Sequence, residues 1–266
     1  MLIADQNRLE RIRAPYVTIA LILACTVVFL AEAAGTRVPF WLAFHPDLIA
    51  RFADDPRAWA GVLRHVLLHG GLLHLFGNML TLWVFGDNVE DAFGHARFAL
   101  FVAISAACGA ALWGLTARPN SALIGASGGI AGVMASYLLL HPRARVVMLV
   151  LKGLPVAVPA SWFVGLWLVA NLVNAAALFG PEEPGATPTA WFAHLGGFAA
   201  GLALTLFARP AGVRLFRPGP AGDAKGWLMR RAIDLSPIDG GGWSGEAVLK
   251  ALGFLLLAGL GMLFAI

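Results

Sequence analysis

Charge is what this sequence has least of. Only 13% of its 266 residues are Asp, Glu, Lys or Arg, about half the share of a soluble domain. No charged residue lies between Arg118 and Arg143, and between Lys152 and Arg209 there are only Glu182 and Glu183. Gaps of that length match the ~20 apolar residues that cross a hydrocarbon core ~30 Å thick. They exclude an ordinary soluble fold, whose helices seldom stay apolar on every face for so long. Cysteine is nearly absent. Cys25 and Cys108 both sit in apolar segments and read as small buried hydrophobes, so no disulfide framework is expected. A cleavable leader is not expected either. The first apolar run follows Arg8, Arg11 and Arg13, but it is too long for a signal-peptide core and lacks a clean cleavage site. No internal repeat is visible, and the net charge of +4 requires no nucleic-acid partner.

What is present is a series of apolar spans. Seven are predicted, at about 15–34, 72–90, 98–115, 122–141, 160–179, 189–208 and 247–266. The stretch 144–151 is apolar but too short to cross. With the N-terminus inside, the inner segments hold Arg8, Arg11, Arg13, Arg97, Arg143, Arg145, Lys152 and the cluster from Arg209 to Arg231. That bias predicts a cytosolic N-terminus and an outer C-terminus. The organisation expected is a cytosolic segment 1–14, a membrane core 15–208, a Gly/Pro/Arg-rich cytosolic linker 209–246 and a last span 247–266. The outer loop 35–71 mixes Trp41, Phe44 and Trp59 with charges and is expected to lie partly in the interface.

Polar side chains inside lipid are costly, so those within spans require a reason. Four stand out: His74 and Asn78 in the second span, Ser127 in the fourth and His194 in the sixth. A lone intramembrane Ser is usually helix packing, and a lone Asn or His is as often structural as functional. Parity alters those odds. The second, fourth and sixth spans all enter from the outer face, and at ~1.5 Å per residue Ser127, Asn78 and His194 fall within a turn of one depth. His74 and Asn78, four apart, share a helix face. Gly197 and Gly201 follow His194 on its face, while Ala131 and Ala135 follow Ser127 on its own, with Gly128, Gly129 and Gly132 beside them. Small residues let such helices approach closely.

That arrangement points to nucleophilic catalysis. A serine hydroxyl attacks well only when a base takes its proton. His194 is assigned as general base and then general acid, without a carboxylate placed to orient it, so a dyad is expected rather than a triad. Asn78, His74 and the backbone N–H of Ser127 are the candidate oxyanion donors.

These residues resemble the rhomboid family of intramembrane serine proteases. The likeness covers roughly residues 15–208. It rests on His69-Gly70-Gly71 followed by His74-xxx-Asn78, on Gly125-Ala126-Ser127-Gly128, and on Ala193-His194-xx-Gly197-xxx-Gly201. GxSG alone is weak, since soluble esterases share it; all three in order and in alternate spans are specific. The resemblance implies an all-α polytopic fold, with a six-helix core plus a C-terminal seventh transmembrane helix. It implies a Ser127–His194 dyad and an oxyanion hole from His74, Asn78 and the Gly125-to-Ser127 loop. It also implies single-span membrane proteins as substrates, a lipid bilayer as surroundings, and neither metal nor organic cofactor. Some members carry an aromatic residue one turn after the serine, against the histidine. Ala131 stands there in this chain, so what orients His194 stays open, as does the oligomeric state. The expected location is a bacterial inner membrane, with a mitochondrial inner membrane as the other possibility. Three other readings compete with this one. A catalytically inactive relative that binds or chaperones membrane proteins would usually lack the serine or the histidine. A transporter would continue its polar residues to the inner face. A metal site of His65, His69 and His74 lacks an HExxH motif and a nearby carboxylate.

Overall fold

A computed structural model describes residues 2–5, 7, 9–36, 42–51, 54–118, 120–150, 154–177, 190–218 and 233–234. Five long helices and one shorter one carry the frame: α1 (Tyr16–Ala33), α4 (Leu72–Phe93), α5 (His95–Thr116), α6 (Ser127–Leu140), α7 (Ala160–Ala177) and α8 (Trp191–Ala208). The short helices α2 (Pro46–Arg51) and α3 (Pro56–Arg64) precede α4. By length and composition α1, α5 and α8 can each cross a membrane. A fourth crossing is available if Trp59–Leu67 and Leu72–Phe93, bent by 90° at their break, count as one span. Apolar side chains on the outer faces stand exposed, among them Leu23, Val27, Leu73, Leu115, Val173 and Phe207. Apolar surface on that scale belongs to a membrane contact. The expected seventh span, 247–266, and most of the linker lie outside the described residues.

The fold is mostly helical rather than all helical, which corrects the expectation from sequence. A four-stranded sheet, ordered β1 (Leu2–Asp5), β2 (Arg145–Val150), β3 (Leu154–Pro159) and β4 (Ile233–Asp234), closes one end. β2 and β3 form an antiparallel hairpin from Arg145↔Pro159 to Val150↔Leu154. The physical reason lies in the segments themselves. RVVMLV and LPVAVP are rich in β-branched Val, which favours strands, and Pro155 and Pro159 deny a helix its hydrogen bonds. Val146, Val147, Val156 and Val158 are almost wholly buried, so this short apolar run enters the protein core instead of crossing lipid.

The same end is held by buried carboxylates. Glu90, fully buried near the end of α4, accepts hydrogen bonds from the N–H groups of Val17 (2.9 Å) and Thr18 (2.8 Å), from the Thr18 hydroxyl (2.8 Å) and from His95 Nδ1 (2.6 Å). It thereby satisfies donors that the first turn of α1 leaves unpaired. Asp91 does the same for the N–H groups of Glu10, Arg11 and Ile12. These two acids thus fasten the N-terminal segment, far from any reacting group. Gly94 turns the chain between α4 and α5 at φ +77, a conformation that suits glycine. The start of the linker folds back on α6, where Phe216 and Arg217 donate backbone bonds to the carbonyls of Leu139 (2.7 Å) and Leu140 (3.0 Å).

At the other end α5, α6 and α8 meet backbone to backbone. A Cβ on Gly197 would overlap the Gly128 carbonyl, and one on Gly201 would stand 2.7 Å from the Gly132 carbonyl carbon. One on Gly109 would lie 2.6 Å from the Ala193 oxygen. Small residues permit this approach, with Gly128 and Gly132 of α6 set against Gly197 and Gly201 of α8. Ala131 and Ala135, beside those glycines on α6, are fully buried.

Candidate active site

Ser127 is the first residue of α6, His194 the fourth of α8, and His74 and Asn78 the third and seventh of α4. The helix bearing Ser127 starts later than the expected 122. Residues before it run extended, tied to the loop ahead of α2 by Phe44 N–H to Leu123 O (3.0 Å) and Leu123 N–H to Phe44 O (2.9 Å). Gly125 makes the bend at φ +111. Its N–H donates to the His65 carbonyl at 2.9 Å, so it supplies shape to the loop and not a free donor. His65 is itself buried, with Nδ1 3.1 Å from the Gly61 carbonyl. Ser127, at the helix start, has an N–H with no partner one turn back.

His194 Nε2 lies 2.8 Å from Ser127 Oγ. The contact bridges α6 and α8 at the level where their glycines first meet. A hydroxyl and an imidazole at that distance can exchange a proton, which is the geometry of an activated nucleophile. Both side chains are half-buried, and His74 is exposed, so the cleft opens on the side that His74 faces. The His74 ring packs on Gly125: a Cβ there would stand 2.9 Å from His74 Nε2 and 3.8 Å from Ser127 Oγ. Gly70 N–H donates to His74 Nδ1 at 3.4 Å, which leaves Nε2 as the nitrogen bearing hydrogen. Asn78 is buried, and its Nδ2 has no hydrogen-bond partner among the described residues. A buried amide donor left unpaired is costly and calls for an acceptor. His69, buried beside His74 with ring centroids 5.1 Å apart, likewise has neither ring nitrogen paired among the described residues.

A residue of α7 that the sequence pattern does not mark joins the site. Asn171 Oδ1 lies 2.7 Å from His194 Nδ1, and the Trp167 ring stands 5.7 Å from the imidazole, tilted by 38°.

The rhomboid domain model matches residues 56–211, more than half of the chain. The chain belongs to the rhomboid family. It is similar to RHOMBOID-like protein 4 of Arabidopsis thaliana, with 36% identity over 170 residues. The match covers 62% of this chain and 35% of that protein, so the chain spans about a third of the relative's length. The matched rhomboid domain runs from α3 to the end of α8 and contains every residue of the cleft. Family membership and the apolar helices together make it an integral membrane protein.

Proposed function

We propose that this rhomboid is an intramembrane serine endopeptidase acting through Ser127 and His194. The observation that carries the reading is the 2.8 Å contact between Ser127 Oγ and His194 Nε2, made by side chains from two helices packed glycine to glycine. In the reaction Ser127 Oγ attacks the scissile carbonyl carbon as its proton passes to His194 Nε2. The tetrahedral oxyanion takes hydrogen bonds from His74 Nε2–H, Asn78 Nδ2 and the Ser127 N–H. Collapse of this intermediate breaks the C–N bond, with His194 returning the proton to the leaving amine. Water, deprotonated by the same imidazole, then hydrolyses the acyl-enzyme. Among these donors Asn78 has its amide already stripped of competing partners, so it offers its hydrogen bond without first breaking another.

The substrates proposed are single-span membrane proteins, cut where the α4, α6 and α8 N-termini gather near the outer face. In this proposal α1 and α4 to α8 all cross the membrane, with 247–266 as a seventh crossing, an inner N-terminus and a bacterial inner membrane as the site. A catalytically inactive binding or chaperoning role has no observation in its favour here, since both reacting groups are present and in contact. Cleavage of a transmembrane reporter in liposomes tests the reading. Wild type cuts it, and Ser127→Ala and His194→Ala leave no measurable product at equal protein levels. A fluorophosphonate probe labels Ser127 in wild type only. Equal cleavage by Ser127→Ala would end the endopeptidase assignment.

A further inference from the structure

Building on the endopeptidase reading, we propose that Asn171 is a third member of the site, a positioning residue on α7 that fixes the tautomer and ring plane of His194. Asn171 is only 2% exposed, and both ends of its amide are engaged. Nδ2 donates to the Trp167 carbonyl of its own helix at 2.7 Å. Oδ1 faces His194 Nδ1 at 2.7 Å. The first bond decides the second. Were the amide reversed, its oxygen would face the Trp167 carbonyl oxygen, two acceptors with no hydrogen between them. The side chain is thus oriented by its own helix, independently of the histidine.

An amide oxygen can only accept, so Nδ1 of His194 must carry the hydrogen. Nε2 is left with its lone pair toward Ser127 Oγ, 2.8 Å away. That is the tautomer a general base needs, and the second nitrogen's hydrogen bond is what selects it. The ring plane is restrained as well: Trp167, one turn from Asn171 on the same helix, lies against the imidazole face. Soluble proteases fill this role with a carboxylate or, in Cys-His-Asn enzymes, an amide. In an apolar interior the amide has an advantage, since it orients the base without placing a net charge in lipid. The catalytic base on α8 is therefore set by a residue on α7, and its geometry depends on α7 staying docked.

The test compares Asn171→Leu, similar in size but unable to accept, with Asn171→Asp, which keeps an acceptor oxygen. Cleavage of the transmembrane reporter is measured as kcat and KM in liposomes. Asn171→Leu is expected to lower kcat by about 10²–10³-fold, less than the ~10⁴ cost of a wrong tautomer in a charged triad, with KM within about twofold. Asn171→Asp keeps an oxygen toward Nδ1 but sets its second oxygen against the Trp167 carbonyl, so it is expected to recover about tenfold over Leu and to stay below wild type. Wild-type kcat in Asn171→Leu, or a change confined to KM, would overturn the role. Nitrogen-15 NMR of histidine-labelled protein in detergent reads the tautomer with no substrate present. Wild-type His194 is expected as the Nδ1–H form, lost in Asn171→Leu. Wild type in the Nε2–H form overturns this inference even if Ser127 cuts. Wild type in the Nδ1–H form that cuts nothing overturns the endopeptidase reading instead.

Discussion

Replacing Gly197 by alanine tests whether close backbone approach is what unites the reacting pair. The added methyl would overlap the carbonyl oxygen of Gly128 and stand 2.7 Å from its carbon, where ordinary contact begins at 3.4 Å. The obstacle is backbone on both sides, so no side chain can swing away. The helices must separate by about 1 Å, at an overpacking cost of ~1–3 kcal/mol. Ser127 sits one residue before Gly128, and His194 one turn before Gly197, so the separation falls on the reacting pair almost undiminished. A Ser127–His194 distance of 2.8 Å would stretch past the ~3.2 Å reach of a good hydrogen bond. Misplacement of that size costs about 10²-fold in rate. Gly77→Ala is the matched control, since a Cβ there meets nothing within 4 Å; alanine should be neutral or stabilise α4 by up to ~1 kcal/mol. Reporter cleavage in liposomes and thermal unfolding in detergent are read on both variants. Wild-type cleavage by Gly197→Ala, or equal impairment of Gly77→Ala, would refute the reasoning.

Two further outcomes are expected away from that seam. Asn78→Ala should lower kcat by about 10²–10³-fold, the usual cost of one oxyanion donor, with KM little changed; a loss seen only in KM would remove Asn78 from that role. At the sheet end, burial pushes the Asp5 carboxyl up from 3.8 to about 6 against the bonds it accepts from Tyr137 and Asn7. Because the folded state binds this proton more tightly, its contribution to stability is full below about pH 4 and is lost as pH rises through about 6. Wild type should therefore lose on the order of 1–2 kcal/mol relative to Asp5→Asn between pH 4 and 7.5, read as thermal unfolding in detergent. Parallel pH profiles for the two proteins would contradict it.

The helical frame was legible because lipid imposes a simple rule. A charge-free run long enough to cross must become a helix, and the ends of α1, α5 and α8 fall within a few residues of those expected. The sheet was not legible by the same rule. Segment 144–151 is too short to cross, and its strand signal lies instead in valines of both parities, Val146 and Val147, buried on both faces. The start of α6 departs from the expected 122 for a local reason. Hydropathy cannot distinguish an apolar extended run from an apolar helix, and Leu123 and Ile124 are as hydrophobic as anything after Ser127. The bend lay in Gly125, whose positive φ ends the extended stretch and lets Ser127 open the helix.

Asn171 escaped for a reason of direction. The expected common depth rests on spans that enter from the outer face, and with the N-terminus inside the span 160–179 is expected to run the other way. Counted from its far end, Asn171 lies six residues before Ala177, and Asn78 lies six after Leu72. On that expectation the two amides fall near one level, which the even spans alone could not reveal. The count by itself still leaves two choices, since Asn174 follows one turn later in the same helix. Asn174 is exposed and donates to the Ala170 carbonyl one turn back, whereas Asn171 turns inward beneath Trp167 to meet the imidazole. Depth can be read from a sequence to within a turn. The face a lone polar residue presents is set by the neighbours packed around it, and here those neighbours are Trp167 and His194.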